Sequence, residues 1–90
     1  MYIVSSFDFF GDDAELKKWD KAWKKACEET DGISYRGRYT SHQARYHWCY
    51  LYESDGYDLF MAAMSKIPLE RDRNVTTHNI IEIFSGPMDE

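Results

Sequence analysis

The sequence predicts an α+β fold: one layer of four antiparallel strands under one layer of two helices. Four segments rich in β-branched and aromatic residues read as strands, and two segments with apolar residues at helical spacing read as helices. They alternate in the order β, α, β, β, α, β. The two middle strands are too close in sequence for any pairing except an antiparallel hairpin. Ninety residues, 43% hydrophobic and 17% aromatic, are enough for one compact core. The expected domain spans 1–86, with 87–90 a loose C-terminal tail.

Tyr2 to Phe10 (YIVSSFDFF) is the first strand, stopped at Gly11-Asp12-Asp13, where either aspartate can cap the following helix. In that helix Leu16, Trp19, Trp23, Ala26 and Cys27 form one buried stripe, while Lys17, Lys18, Lys21, Lys24 and Lys25 read as a solvated face. Gly32 is a left-handed stop at its end. Ile33 to Thr40 and Ala44 to Glu53 are the hairpin strands around Ser41-His42-Gln43. Ser54-Asp55-Gly56 opens the second helix, with Tyr57, Phe60, Met61, Met64 and Ile67 apolar before Pro68. Leu69 to Asn74 is a charged loop, and Val75 to Ser85 is the last strand.

That order, with a hairpin in the middle, is the ferredoxin-like βαββαβ arrangement. The chain resembles the dimeric α+β barrel superfamily, closest to its short uncharacterised members. The likeness rests on Gly32-Ile33-Ser34-Tyr35-Arg36-Gly37-Arg38-Tyr39 leading into the hairpin, Tyr50-Leu51-Tyr52-Glu53-Ser54-Asp55 ending its second strand, and Asn79-Ile80-Ile81-Glu82-Ile83 in the last. The resemblance implies two copies pairing their sheets face to face. It transfers no catalytic residue.

Sixteen acidic against eleven basic residues give a net charge of -5, which disfavours general attraction to phosphate backbones and anionic membranes. No apolar run is long enough to span a bilayer, and no export signal opens the chain, so a cytoplasmic protein is expected. Cys27 and Cys49 lie far apart and fit no metal or disulfide pattern, so buried free thiols are expected, with no metal and no cofactor.

Strand alternation divides the side chains between two faces. Odd positions Ile3, Ser5, Phe7, Cys49, Leu51, Ile81 and Ile83 are the expected helix-facing set. Even positions Tyr46, Trp48, Tyr50 and Tyr52, with Tyr2, Val4, Ser6, Asp8, His78, Ile80, Glu82 and Phe84, then look away from the helices, joined by Ile33, Tyr35 and Tyr39 if the hairpin loop has two or four residues. An aromatic face of that size needs a cover, and a second copy of the sheet would supply one. Arg36, Arg38, Arg45 and His47 are expected on the outer side of the hairpin as a solvated edge.

The expected function follows from that face: a homodimer binding, or binding and transforming, a small apolar or aromatic metabolite between sheet and partner. Trp48, Tyr50, Tyr46, Tyr35, His78, Glu82 and Asp8 are the candidate ligand-binding residues. The catalytic candidates are His78 as general base, with Asp8 or Glu82 orienting it. Whether the chain is an enzyme stays open. The alternatives are a structural or regulatory dimerisation module without catalysis, and an RNA-recognition-motif-like platform using Tyr2, Tyr46 and Trp48. Against the latter stand the acidic charge and a third strand without the glycine-aromatic pattern such modules carry.

Overall fold

The computed structural model describes residues 1–42, 45–67 and 79–88. Its elements are β1 (Tyr2–Phe7), α1 (Asp13–Glu28), β2 (Ile33–Thr40), β3 (Trp48–Ser54), α2 (Tyr57–Ser65) and β4 (Asn79–Phe84). The strands form one antiparallel sheet in the order β2-β3-β1-β4, with β3 and β1 central. This is the ferredoxin-like α+β arrangement expected from the order of elements.

The helix ends follow local chemistry. Asp12 caps α1, its carboxylate accepting the Glu15 backbone N–H at 2.8 Å. Beyond the other end, Thr30 donates its hydroxyl to the Ala26 carbonyl, and Gly32 turns the chain at φ +89. A side chain there would have to adopt a left-handed backbone and meet Leu59 of α2 at 2.7 Å. α1 lies over β2 and against α2, and α2 lies over β3.

Two strands are shorter than the sequence suggests. β1 stops at Phe7 because Asp8 turns to cap the hairpin loop, accepting the His47 backbone N–H at 2.9 Å. The hairpin closes with Ser41 N–H bonding the His47 carbonyl at 2.8 Å, so β3 begins at Trp48 and Tyr46 belongs to the loop. The expected strand start at Val75, the charged loop and Pro68 fall outside the described residues, as do Asp89 and Glu90 of the tail. Met88 stands in solvent.

The assignment of faces is reversed on β3. Register decides it: Ile3 stands opposite Tyr52, Ser5 opposite Tyr50 and Phe7 opposite Trp48, so odd positions of β1 share a face with even positions of β3. Tyr50 and Tyr52 are therefore buried beneath the helices, at 4% and 0% exposure, while Cys49 and Leu51 lie on the open face. Packing gives the reason. Ala26 and Cys27 of α1 and Ala63 of α2 are small buried residues in the core, leaving room that large rings from the sheet fill. Trp23 is the hub, within 5.7 to 6.3 Å of the Tyr50, Tyr52 and Phe60 rings, and Phe7 stacks on Tyr50 at 4.7 Å.

A β-bulge then changes the parity within β2. Tyr35 pairs with Tyr52, but the next aligned pair is Arg38 with Tyr50, so Arg36 and Gly37 together stand opposite Leu51. Gly37 takes φ +112 to make this possible. Ile33, Tyr35 and Arg38 consequently face the helices, and Tyr39, paired with Cys49, faces the open side.

Candidate functional site

Of the seven residues singled out from the sequence, the six that are described do not converge. Tyr35, Trp48 and Tyr50 lie on the helix-covered face, Tyr46 is buried in the hairpin loop, Glu82 is exposed on the open face, and Asp8 sits beyond the end of β1. His78 lies outside the described residues. The expected cavity walled by Trp48 and Tyr50 around Asp8 and Glu82 is therefore not assembled within the described chain, because register sends the aromatics inward and leaves Glu82 outward.

Asp8 is partnered by His47 instead. Its Oδ1 lies 2.8 Å from the imidazole Nδ1 as well as accepting the His47 N–H. The ring contact and then the backbone bond hold this carboxyl below the usual carboxylate range. The pair ties β1 to the hairpin loop. Arg45 places its guanidinium 5.7 Å from the Tyr46 ring in the same loop.

The bulge assembles a second cluster that sequence reasoning missed. Arg38 Nε lies 2.9 and 3.0 Å from the two carboxylate oxygens of Asp20 on α1, and its guanidinium rests 4.4 Å from the centre of the Trp48 ring. Tyr50 donates its hydroxyl to the same Asp20 Oδ1 at 2.9 Å. Arg38 and Asp20 side chains are 19% and 23% exposed, so the pair is shielded enough to exceed the small worth of a surface ion pair. Burial first, then the bond to Asp20 and its charge, raise the Tyr50 phenol far above its ordinary value. Tyr35 nearby is pushed up to about 12, by burial and then by the Asp20 charge. Both phenols stay protonated, Tyr50 as the donor to Asp20, and the arrangement locks α1 onto the sheet rather than generating a base. Gly37 inside a strand was the available signal, since an isolated strand glycine marks a bulge.

A cleft of about 340 Å³ lies between the end of α1 and the start of β2. Lys24, Glu28, Asp31, Ser34 and Tyr35 line it, a mixed charged set unlike the aromatic pocket expected. Cys27 at its edge is pushed up to about 11 by burial and then by Glu28, which keeps it a thiol.

The open face of the sheet is an apolar surface that neither helix covers. β1 contributes Tyr2, Val4 and Ser6, β3 contributes Cys49, Leu51 and Glu53, and β4 contributes Ile80, Glu82 and Phe84, aligned row by row across the strands. Tyr2 and Ile80 are each 37% exposed and Phe84 51%, while Val4, Cys49 and Leu51 are half-buried between them. Arg36 reaches Glu53 on this side at 2.9 Å. Burial raises the Cys49 thiol. Among the described residues no group of three or more histidine, cysteine or acidic side chains gathers as a metal site, and no helix is long and apolar enough to cross a membrane.

No protein family matches the chain, and no curated protein matches it.

Proposed function

We propose that this chain works as a homodimer joined through its open sheet faces, with a small apolar or aromatic metabolite held between them. The observation that carries this reading is the run of Tyr2, Val4, Leu51, Ile80 and Phe84 on a face that neither helix covers. Removing a large apolar side chain from water is worth about 1.5–3 kcal/mol. Association costs about 4–15 kcal/mol in lost freedom. One small ligand on one face covers too few of these side chains to exceed that cost comfortably. Two copies bury the set twice over.

In such a pair the ligand lies against Tyr2 and Phe84, in the row next to the one that carries Leu51, Val4 and Glu82. The binding residues are then those of the open face, in place of Trp48 and Tyr50. The helix-facing position of Trp48 also takes from the RNA-binding alternative the ring it needs on the open face. Light scattering at micromolar concentration tests the reading. A species of twice the 10.7 kDa chain mass is expected, reduced to a monomer in Leu51→Glu. A thermal-shift screen of small aromatic acids, phenols and quinones is expected to give hits whose shifts shrink in Phe84→Ala. A monomeric wild type that no compound stabilises overturns the proposal.

A further inference from the structure

We infer that the two copies are related by a two-fold axis parallel to the strands between β1 and β3, setting Arg36 of each copy against the partner's Glu82. This rests on the dimer reading and adds its geometry.

The argument starts from one row across the open face. Val4 stands opposite both Leu51 and Glu82, and Leu51 stands opposite the bulge that contains Arg36. With the strand order β2-β3-β1-β4, the row reads Arg36, Leu51, Val4, Glu82: a cation at one edge, two aliphatic side chains in the middle, an anion at the other edge. Strands lie about 4.8 Å apart, so Arg36 and Glu82 of one chain are about 14 Å apart and cannot pair with each other.

Glu82 is exposed and makes no hydrogen bond or ion pair among the described residues. It stands on β4 between Ile80 and Phe84, the exposed apolar residues that share its face. Covering those neighbours strips water from the carboxylate, which then needs a cation. Arg36 is the cation that the described strands place on this face. Its Nη2 already bonds Glu53 Oε2 at 2.9 Å, which orients the guanidinium, and the remaining N–H groups of its five have no partner among the described residues and can serve a second carboxylate.

Face-to-face sheets admit two kinds of two-fold axis in the plane between them. An axis across the strands stacks β2 on β2 and β4 on β4, bringing arginine to arginine and Glu82 to Glu82. An axis along the strands stacks β2 on β4 and β3 on β1, so the row meets its own reverse. Arg36 then faces the partner's Glu82 twice, and Leu51 faces the partner's Val4. The usual offset of about 30° between packed sheets moves the ends of the row by only about 4 Å, within reach of both side chains.

Reciprocal charge reversal tests this. Light scattering and native mass spectrometry are run on wild type, Arg36→Glu, Glu82→Lys and an equimolar mixture of the two variants. Each variant alone is expected to dimerise at least tenfold more weakly than wild type, because every cross-pair becomes like-charged. The mixture is expected to recover near-wild-type affinity as the heterodimer, in which both cross-pairs are again opposite, and recovery also shows that both variants fold. A dimeric wild type whose single variants keep their affinity within twofold, or whose mixture stays as weak as its components, overturns the axis and leaves the dimer standing. A monomeric wild type overturns both.

Discussion

Arg38 of β2 and Asp20 of α1 are joined by two contacts from one Nε, at 2.9 and 3.0 Å, across the layer between sheet and helix. Tyr50 completes the arrangement from the neighbouring strand. The cluster fixes where α1 sits along the sheet. Asp20→Ala strands both the guanidinium and the phenol and is expected to cost about 2–3 kcal/mol in urea unfolding. Arg38→Ala is expected to cost somewhat less, since Tyr50 keeps its acceptor. A double-mutant cycle on the pair should give a coupling of about 1 kcal/mol or more; a coupling near zero would show that the contact is only incidental to the docking of α1.

Arg38 points inward only because Gly37 permits the bulge. At φ +112 a side chain is strained, although a Cβ there would meet the Tyr39 ring at an ordinary 3.6 Å. The cost of Gly37→Ala is thus conformational rather than steric, and about 1–2 kcal/mol is expected. If Gly37→Ala unfolds at the same urea concentration as wild type, the glycine is not what holds the register.

The element order was legible because helical and strand periodicities are local properties of the chain. Leu16, Trp23 and Cys27 announce α1, and the pair Asp12-Asp13 announces its start. The faces of the sheet were not legible, because parity passes from strand to strand only through register, and register depends on where each turn closes. The closure of the hairpin at Ser41 and His47, and the bulge at Gly37, each break the simple alternation. The aromatic run Trp48 to Tyr52 therefore lies on the side opposite to the one that simple alternation predicts, and the walls of the expected cavity lie with it under the helices. Asp20 was hidden for a related reason: among the lysines of α1 it reads as one more solvated charge.

The Asp8–His47 contact gives acid stability a specific sensitivity. The carboxyl titrates lower in the folded chain than in the unfolded one, chiefly through the imidazole contact. Its contribution is complete above the unfolded value near 3.9 and is lost as the pH falls through the lower folded value. Thermal melts of wild type and Asp8→Asn should differ at pH 5 and converge as the pH drops below about 4. A difference that persists unchanged to the lowest pH would show that the carboxylate charge is not what stabilises the contact.

At alkaline pH the sign is opposite. Tyr35 binds its proton up to about 12, and burial raises Tyr50 and Tyr52 as well. The folded chain holds these protons more tightly than the unfolded chain. The stability they confer is full below about pH 10 and declines as the pH rises through the folded values. Tyr35→Phe should flatten the decline between pH 10 and 12, as followed by circular dichroism. A decline as steep as that of wild type would assign alkaline unfolding to other groups.

Two tyrosines one pleat apart should respond to the same chemical change with opposite signs. Tyr50 donates its hydroxyl to a carboxylate, while the hydroxyl of Tyr52, 0% exposed among Trp23, Tyr35, Tyr50 and Phe60, has no hydrogen-bond partner among the described residues. A buried unsatisfied hydroxyl costs about 1–3 kcal/mol, whereas a hydrogen bond to a charged group contributes about 1.5–3 kcal/mol. Removing one oxygen leaves little void, because the ring remains. Tyr52→Phe is therefore expected to raise stability by about 1 kcal/mol, and Tyr50→Phe to lower it by about 2 kcal/mol. Urea unfolding of both variants beside wild type decides the matter. A loss in Tyr52→Phe would mean that its hydroxyl is satisfied in solution, with a buried water between α1 and the sheet as the first candidate to examine by crystallography.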